Sequence, residues 1–409
     1  MKISALRANL FPPFGHFEIE FPHVEGDCDQ ELAEVHVFTG PNGSGKTRLM
    51  ALIAGCMGSY SELKKRDIGK YMREFQGLAF DGDLPFPLGW QDMASGPLMR
   101  REETPSMTFC PRAYLESAEV RANAEIRLPT VDDALSFSRP SDESQRLLQG
   151  LFTMDLQAAT ESRHGTDGRY SRMIQSIERA IQDVTGVPFS FVSTVHPKPE
   201  LRVRWGAHPE TYEITTLPDG LRSILGWLVQ GVVWMDIFWD SVPDPLSQPV
   251  ILLVDEPETH LHPEWQWRVM PMMQRLFPKA QIFAATHSPF IVSSLNENAW
   301  IHRLRVTRNG TVTLDEPKPV EKGDSYVTAL STVLEVSDWY DPENRKLLAE
   351  FRELRSAALK GGDTEEQEMR EKAQEIAGRG MELEQVVGAE LRQYERQKQQ
   401  MAELKRKKA

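Results

Sequence analysis

The chain has 409 residues, 40 % of them hydrophobic and 26 % charged, a composition that excludes a disordered or fibrous protein. It carries 60 acidic against 47 basic residues, a formal net charge of -13, so its surface as a whole does not attract nucleic acid. Three scattered cysteines, Cys28, Cys56 and Cys110, form no C-x-x-C pair; this argues against a disulfide framework or zinc cage and predicts a reduced, cytoplasmic setting.

The first residues show no basic stretch leading into an apolar run, so no secretory leader is expected. Ile3 to Leu10 and His16 to Phe21 read as a β-hairpin around Pro12, Pro13 and Gly15. Glu34 to Thr39 alternates between polar and apolar residues. It runs into a glycine-rich turn, and helical periodicity begins at Thr47. Residues 60 to 145 are loop-rich, with weak strand character from Met107 to Cys110. Apolar spacing predicts helices across Glu143 to Thr185 and a hairpin from Phe189 to Trp205. The most apolar stretch, Ile224 to Trp239, is interrupted by Gln230 and Asp236. It is shorter than the roughly 20 residues of a membrane span and reads as a buried helix.

Val250 to Val254 is a continuous apolar run, the mark of a strand covered on both faces of a parallel sheet. Gln281 to Ala285 is a second, with a crossover helix at Trp265 to Leu276 between them. Ile301 to Leu314 reads as an edge hairpin turning at Asn309-Gly310. Beyond residue 322, charge becomes dense and Pro342 is the last proline. Helices are expected at Tyr340 to Leu359 and Asp363 to Lys408, broken at Gly361-Gly362 and near Gly378 to Gly380. Val387, Leu391, Tyr394, Met401 and Leu404 make a weak heptad stripe, with Lys398 in the missing position. It could pack within its own domain, against a twin subunit or against another protein.

Four segments carry chemistry. Gly40-Pro41-Asn42-Gly43-Ser44-Gly45-Lys46-Thr47 fits G-x-x-x-x-G-K-[ST] between a strand and a helix. Small residues let backbone N–H groups face a phosphate, the helix N-terminus adds partial positive charge, Lys46 reaches the β- and γ-phosphates, and the Thr47 hydroxyl ligates magnesium. At the end of the apolar run stand Asp255, expected to hold magnesium, and Glu256, expected to poise a water for attack. Phe283-Ala-Ala-Thr-His287 places a histidine after a second apolar strand, as a γ-phosphate contact. Leu217-Pro218-Asp219-Gly220-Leu221-Arg222 opens an apolar helix; alone it reads equally as a Pro-Asp-Gly helix start. The His260-x-His262 pair lacks a third ligand cluster, so a turn reaching a partner subunit is preferred to a metal site.

In this order the segments resemble an ABC-type ATPase of the SMC/RecF/OLD-like group: Walker A at 40–47, signature-like at 217–222, Walker B at 251–256, D-loop-like at 258–263 and His-loop at 287. The stretch Asp255-Glu-Pro-Glu-Thr-His-Leu-His-Pro263 marks the soluble, non-transporter branch. The resemblance covers residues 1–315 and implies an ABC-type P-loop NTPase fold. That fold has a mixed, largely parallel sheet core, an N-terminal antiparallel β part, a helical and β insert at about 60–210, and a helical extension at 316–409. It implies ATP and Mg2+, and a homodimer in which Asp219 and Gly220 of one subunit cap the γ-phosphate held by the other. Two departures stand out. Pro218 replaces the usual signature serine, which implies slower hydrolysis. No clear Q-loop is found; Gln76, or Arg112 after the 107–110 strand, are the candidates. Residues 316 to 409 contain no D-x-D, so a Toprim nuclease is not expected. The pattern is similar to ATPases of the Septu and retron anti-phage systems, which work with an HNH-type nuclease. A RecF-like repair ATPase is the alternative, with a transporter subunit disfavoured by the missing Q-loop and altered signature. Basic clusters at Lys64 to Arg66, Arg100-Arg101, Arg303/Arg305/Arg308 and Lys405 to Lys408 could meet a nucleic-acid backbone but read first as solvated faces. No membrane partner is expected.

Overall fold

The computed structural model of the chain describes residues 2–8, 13–15, 17–23, 32–56, 75–81, 112–115, 143–163, 168–194, 200–239, 242–321, 329–330, 340–359 and 363–408. They divide into two units, Met1–Leu334 and Glu335–Ala409. Strands of the first unit are β1 (Lys2–Ala8), β2 (Phe17–Glu20), β3 (Glu34–Thr39), β4 (Phe75–Asp81), β5 (Arg112–Leu115), β6 (Phe189–Thr194), β7 (Glu200–Trp205), β8 (Tyr212–Glu213), β9 (Val250–Asp255), β10 (Ala280–Ala285), β11 (Ala299–Val306), β12 (Val312–Leu314) and β13 (Lys318–Pro319). Its helices are α1 (Lys46–Cys56), α2 (Glu143–Arg163), α3 (Arg169–Thr185), α4 (Asp219–Phe238), α5 (Pro263–Leu276) and α6 (Pro289–Ser293).

The central sheet runs β12-β11-β3-β10-β9-β5, with β13 also on β11. Strands β11, β3, β10, β9 and β5 are parallel; β12 and β13 are antiparallel to β11. This is the mixed α/β architecture the sequence predicts. A separate antiparallel sheet, β2-β1-β4, forms the N-terminal β part, and β6-β7-β8 form a third. In the central sheet, β3 and β9 are not neighbours, because β10 lies between them. The registers set Ala285 opposite both Phe38 and Asp255, so the carboxyl ends of the three strands lie level.

The strand expected at 107–110 lies outside the described residues; Arg112 is the first residue of β5, which pairs in parallel with β9. Ile301 to Leu314 is an edge hairpin as expected, with β12 outermost and β11 joining the sheet in parallel with β3. Although its residues alternate between apolar and polar, all six residues of β3 are buried. Val35 and Val37 face the main core. On the other side, Glu34 bonds Lys2, His23 and His36, and Phe21 packs edge-on to His36 and Phe283. The polar face is tolerated in the interior because Glu34 and His36 both find hydrogen-bond partners there.

Helix α4 is apolar around most of its circumference, with Leu221, Ile224, Leu225, Trp227, Leu228, Val232 and Val233 all buried. It joins the main core, as expected of a fully covered helix. No helix among the described residues is long and apolar enough to cross a membrane.

The second unit holds α7 (Pro342–Leu359), α8 (Asp363–Ala377) and α9 (Met381–Lys408); Gly378 to Gly380 separate α8 from α9, and Gly361-Gly362 lie outside the described residues. Asp341 caps α7, its Oδ1 accepting the N–H of Glu343 at 3.0 Å and of Asn344 at 3.1 Å. The unit has its own core of Leu347, Leu348, Phe351, Met369, Ile376, Leu383, Val387 and Tyr394. The heptad stripe is largely consumed here: Val387 and Tyr394 are buried, Leu391 packs against them, and Lys398 pairs with Glu366 of α8.

Candidate functional site

Residues Gly40 to Gly45 form the turn between β3 and α1, whose first turn carries Lys46 and Thr47. Gly40, Gly43 and Gly45 have φ of 146°, 81° and 88°, backbone that side chains resist. Gly40 is also tightly enclosed: a Cβ there would lie 2.4 Å from the Leu304 carbonyl oxygen. Pro41, Asn42 and Gly43 are exposed, whereas Ser44 and Lys46 are buried. The Lys46 ammonium donates to the Gly40 carbonyl at 2.9 Å and the Pro41 carbonyl at 3.2 Å. Burial lowers its pKa to about 8, against the opposing pull of Asp255, Glu256 and Glu258. The Thr39 and Ser44 hydroxyl oxygens beside it are buried with no hydrogen-bond partner among the described residues. A cation folded onto its own loop, three carboxylates around it and two buried hydroxyls needing partners fit a magnesium-bound triphosphate.

Asp255 ends β9, and the chain then turns sharply. Glu256 is exposed at φ 50°, a conformation uncommon for a residue with a side chain. Its N–H donates to the Ala285 carbonyl at 2.9 Å, and its own carbonyl accepts from the Thr259 N–H at 3.0 Å. His287 follows β10. Burial and then the Lys46 charge hold its imidazole below the ordinary histidine value, with Glu256 opposing. The structure therefore brings Lys46, Asp255, Glu256 and His287 into one electrostatic cluster at the strand ends, the crevice where open α/β sheets bind ligands.

Glu258, which the sequence reading assigned only to a turn, belongs to this cluster. Its Oε1 accepts the His287 main-chain N–H at 2.7 Å. Burial raises its pKa, hydrogen bonds from His287 and Thr286 oppose that, and the Glu256 charge adds to it. The available sequence signal was a third acid within four residues of the strand end.

Asp219 and Gly220 belong to a second group. The α4 helix begins at Asp219, whose exposed carboxylate pairs with Arg222 one turn on. Gly220 is buried, and a Cβ on it would meet the His260 carbonyl oxygen at 2.7 Å and the Trp265 ring at 3.3 Å. His260 itself has φ 65°. The signature-like helix start and the D-loop-like turn thus pack as one piece. His262 is the N-cap of α5, its Nδ1 accepting the Glu264 N–H at 3.3 Å. Among the described residues no group of three His, Cys, Asp or Glu is placed to hold a metal. Gln76, a Q-loop candidate, lies in β4 of the N-terminal sheet. Of the basic clusters, Arg303 and Arg305 both bond Asp315; Lys64 to Arg66 and Arg100-Arg101 lie outside the described residues.

Residues 237–293 match a family model described as "AAA domain, putative AbiEii toxin, Type IV TA system". The match covers β9, the acidic turn, α5, β10 and His287. Over 144 residues the chain is 28 % identical to the "Retron Ec83 probable ATPase" of Escherichia coli, covering 34 % of this chain and 25 % of that protein. Over part of its length the chain is similar to retron ATPases and to Septu protein PtuA. The PtuA of Bacillus thuringiensis is 45 % identical over 49 residues, 12 % of each chain. The chain thus spans about a quarter of the length of the retron relative it matches. Among solved structures, an SmcHead bound to the C-winged helix domain of ScpA overlaps 79 % of this chain and 100 % of its own, at 14 % identity and a TM-score of 0.47.

Proposed function

We propose that the protein is an ATP-binding and ATP-hydrolysing ABC-like ATPase that dimerises head-to-tail and gates a partner effector, a nuclease, in bacterial anti-phage defence. The observation that carries this reading is the convergence of Lys46, Asp255, Glu256 and His287 at the level carboxyl ends of β3, β9 and β10. The likeness to retron and Septu proteins supports the defence role over a RecF-like repair role.

Each residue's part follows from its chemistry. The Gly40–Gly45 amides and the Lys46 ammonium bind the phosphates; Lys46 leaves the Gly40 and Pro41 carbonyls to do so. The Thr47 hydroxyl and the Asp255 carboxylate are hard oxygen donors suited to magnesium. When bound, MgATP supplies the reactive phosphoryl group. Glu256 orients a water and takes its proton at the carboxylate, while the neutral His287 imidazole donates a hydrogen bond toward the transferred group. The Asp219–Gly220 helix start closes the site from the second protomer. Pro218 brings no hydroxyl to that contact, which slows turnover.

Lys46→Ala is expected to abolish ATP binding, measured by calorimetry; unchanged affinity would remove the phosphate-loop role. Glu256→Gln is expected to hold an ATP-bound dimer visible by light scattering, and normal hydrolysis by this variant would remove Glu256 as the base.

A further inference from the structure

The segment that leaves β10 has its main-chain donors satisfied in turn. Thr286 N–H donates to the Phe38 carbonyl at 3.1 Å, and Ser288 N–H to the Thr286 hydroxyl at 2.9 Å. Between them, the His287 N–H is taken by Glu258 Oε1, a side chain 29 residues earlier on the loop after β9, at 2.7 Å. A buried carboxyl is costly to keep at this position, and a bond from a main-chain N–H to a carboxylate is among the stronger ones available. This bond ties together the two loops that hold Glu256 and His287. It also brackets Glu256, whose left-handed backbone persists only if its surroundings enforce it. The Glu256 N–H is anchored to Ala285 on one side, and Glu258 is anchored to His287 on the other.

We propose that Glu258 is a positioning residue: by accepting the His287 main-chain N–H, it fixes the spacing between Glu256 and His287. The inference rests on the ATPase reading for its consequence, but the clamp itself is a property of the nucleotide-free chain. It requires an acceptor at this position and not a proton donor. Glutamine therefore preserves it, and alanine or the space-filling leucine removes it.

The test uses the full-length chain and the variants Glu258→Ala, Glu258→Leu and Glu258→Gln. Without nucleotide, amide hydrogen exchange at His287 should quicken by about tenfold or more in the alanine and leucine variants and stay near wild type in the glutamine variant. With ATP, kcat should fall by about tenfold or more in the same two variants, while Kd for ATP changes by less than about threefold. Added to His287→Ala, Glu258→Ala should cost less than about a further twofold in kcat, as expected if it acts through the same loop. Unchanged exchange at His287 in both apolar variants overturns the proposal. So does a glutamine variant as impaired as alanine, or losses that multiply in the double variant. A wild-type chain that binds no ATP would sink the ATPase reading, whereas the exchange measurement decides the clamp in either case.

Discussion

Gly220 shows how one missing methyl group organises the second part of the site. Its backbone is ordinary helix, so alanine by itself would favour α4 by up to about 1 kcal/mol. Against this, the added Cβ would sit 2.7 Å from the His260 carbonyl oxygen and 3.3 Å from the Trp265 ring. The first neighbour is backbone in a turn already held at φ 65°, so it cannot yield cheaply. The steric cost, about 1–3 kcal/mol, wins. Gly220→Ala is expected to lower stability and weaken the proposed ATP-dependent dimer, while a single protomer still binds ATP. Sedimentation with and without ATP checks this, and a dimer as tight as wild type would separate Gly220 from the interface. The same residue-scale logic applies at Gly40, where the φ of 146° and the Leu304 carbonyl both exclude a side chain.

At the scale of elements, β3 is the informative case. Its polar residues Glu34 and His36 lie inside the protein, and His36 Nδ1 meets His302 Nε2 of β11 at 3.1 Å. Burial, the dominant cause, holds both imidazoles below the ordinary histidine value. Below about pH 6.5 the unfolded chain therefore takes up protons that the folded one refuses, and stability falls with pH. Glu34 acts at lower pH. Its burial pushes the carboxyl pKa up, but the bonds from His23, His36 and Lys2 outweigh that and hold it well below the ordinary range. Its contribution is full above about pH 4.3 and is lost as the pH drops further. The urea midpoint is expected to be level from pH 8 to about 7 and to decline from about pH 6.5 downward, and His302→Gln should flatten the first part of that decline. An equal midpoint at about pH 7.5 and pH 5.5 would refute this account.

At the scale of the whole molecule, the chain comprises two units with separate cores. The second unit satisfies its own apolar stripe, and its surface carries internal ion pairs such as Arg352 and Arg355 with Glu390. All residues of the proposed ATP site lie in the first unit. Deleting residues 335–409 is therefore expected to leave ATP affinity within about threefold of wild type. If the second unit docks the effector, the same deletion abolishes its co-purification. A truncated chain that binds no ATP would show that the units share one site, and persistent co-purification would move the docking surface to the first unit.

The local elements were legible because their signals are local. The glycine run Gly40–Thr47 has one physical use between a strand and a helix, the apolar runs of β9 and β10 mark doubly covered strands, and the break at Gly378 to Gly380 separates the last two helices. These determine a P-loop α/β protein with a helical end. Tertiary structure alone decided which acids and bases meet. Strand order placed β10 between β3 and β9 and so set His287 among Lys46 and Glu256. The long-range bond that the His287 N–H donates to Glu258, and the approach of Gly220 to His260, join residues 29 and 40 positions apart. No periodicity encodes such pairs. They arise because backbone donors and close-packed surfaces must be satisfied by whatever the folded chain brings within reach.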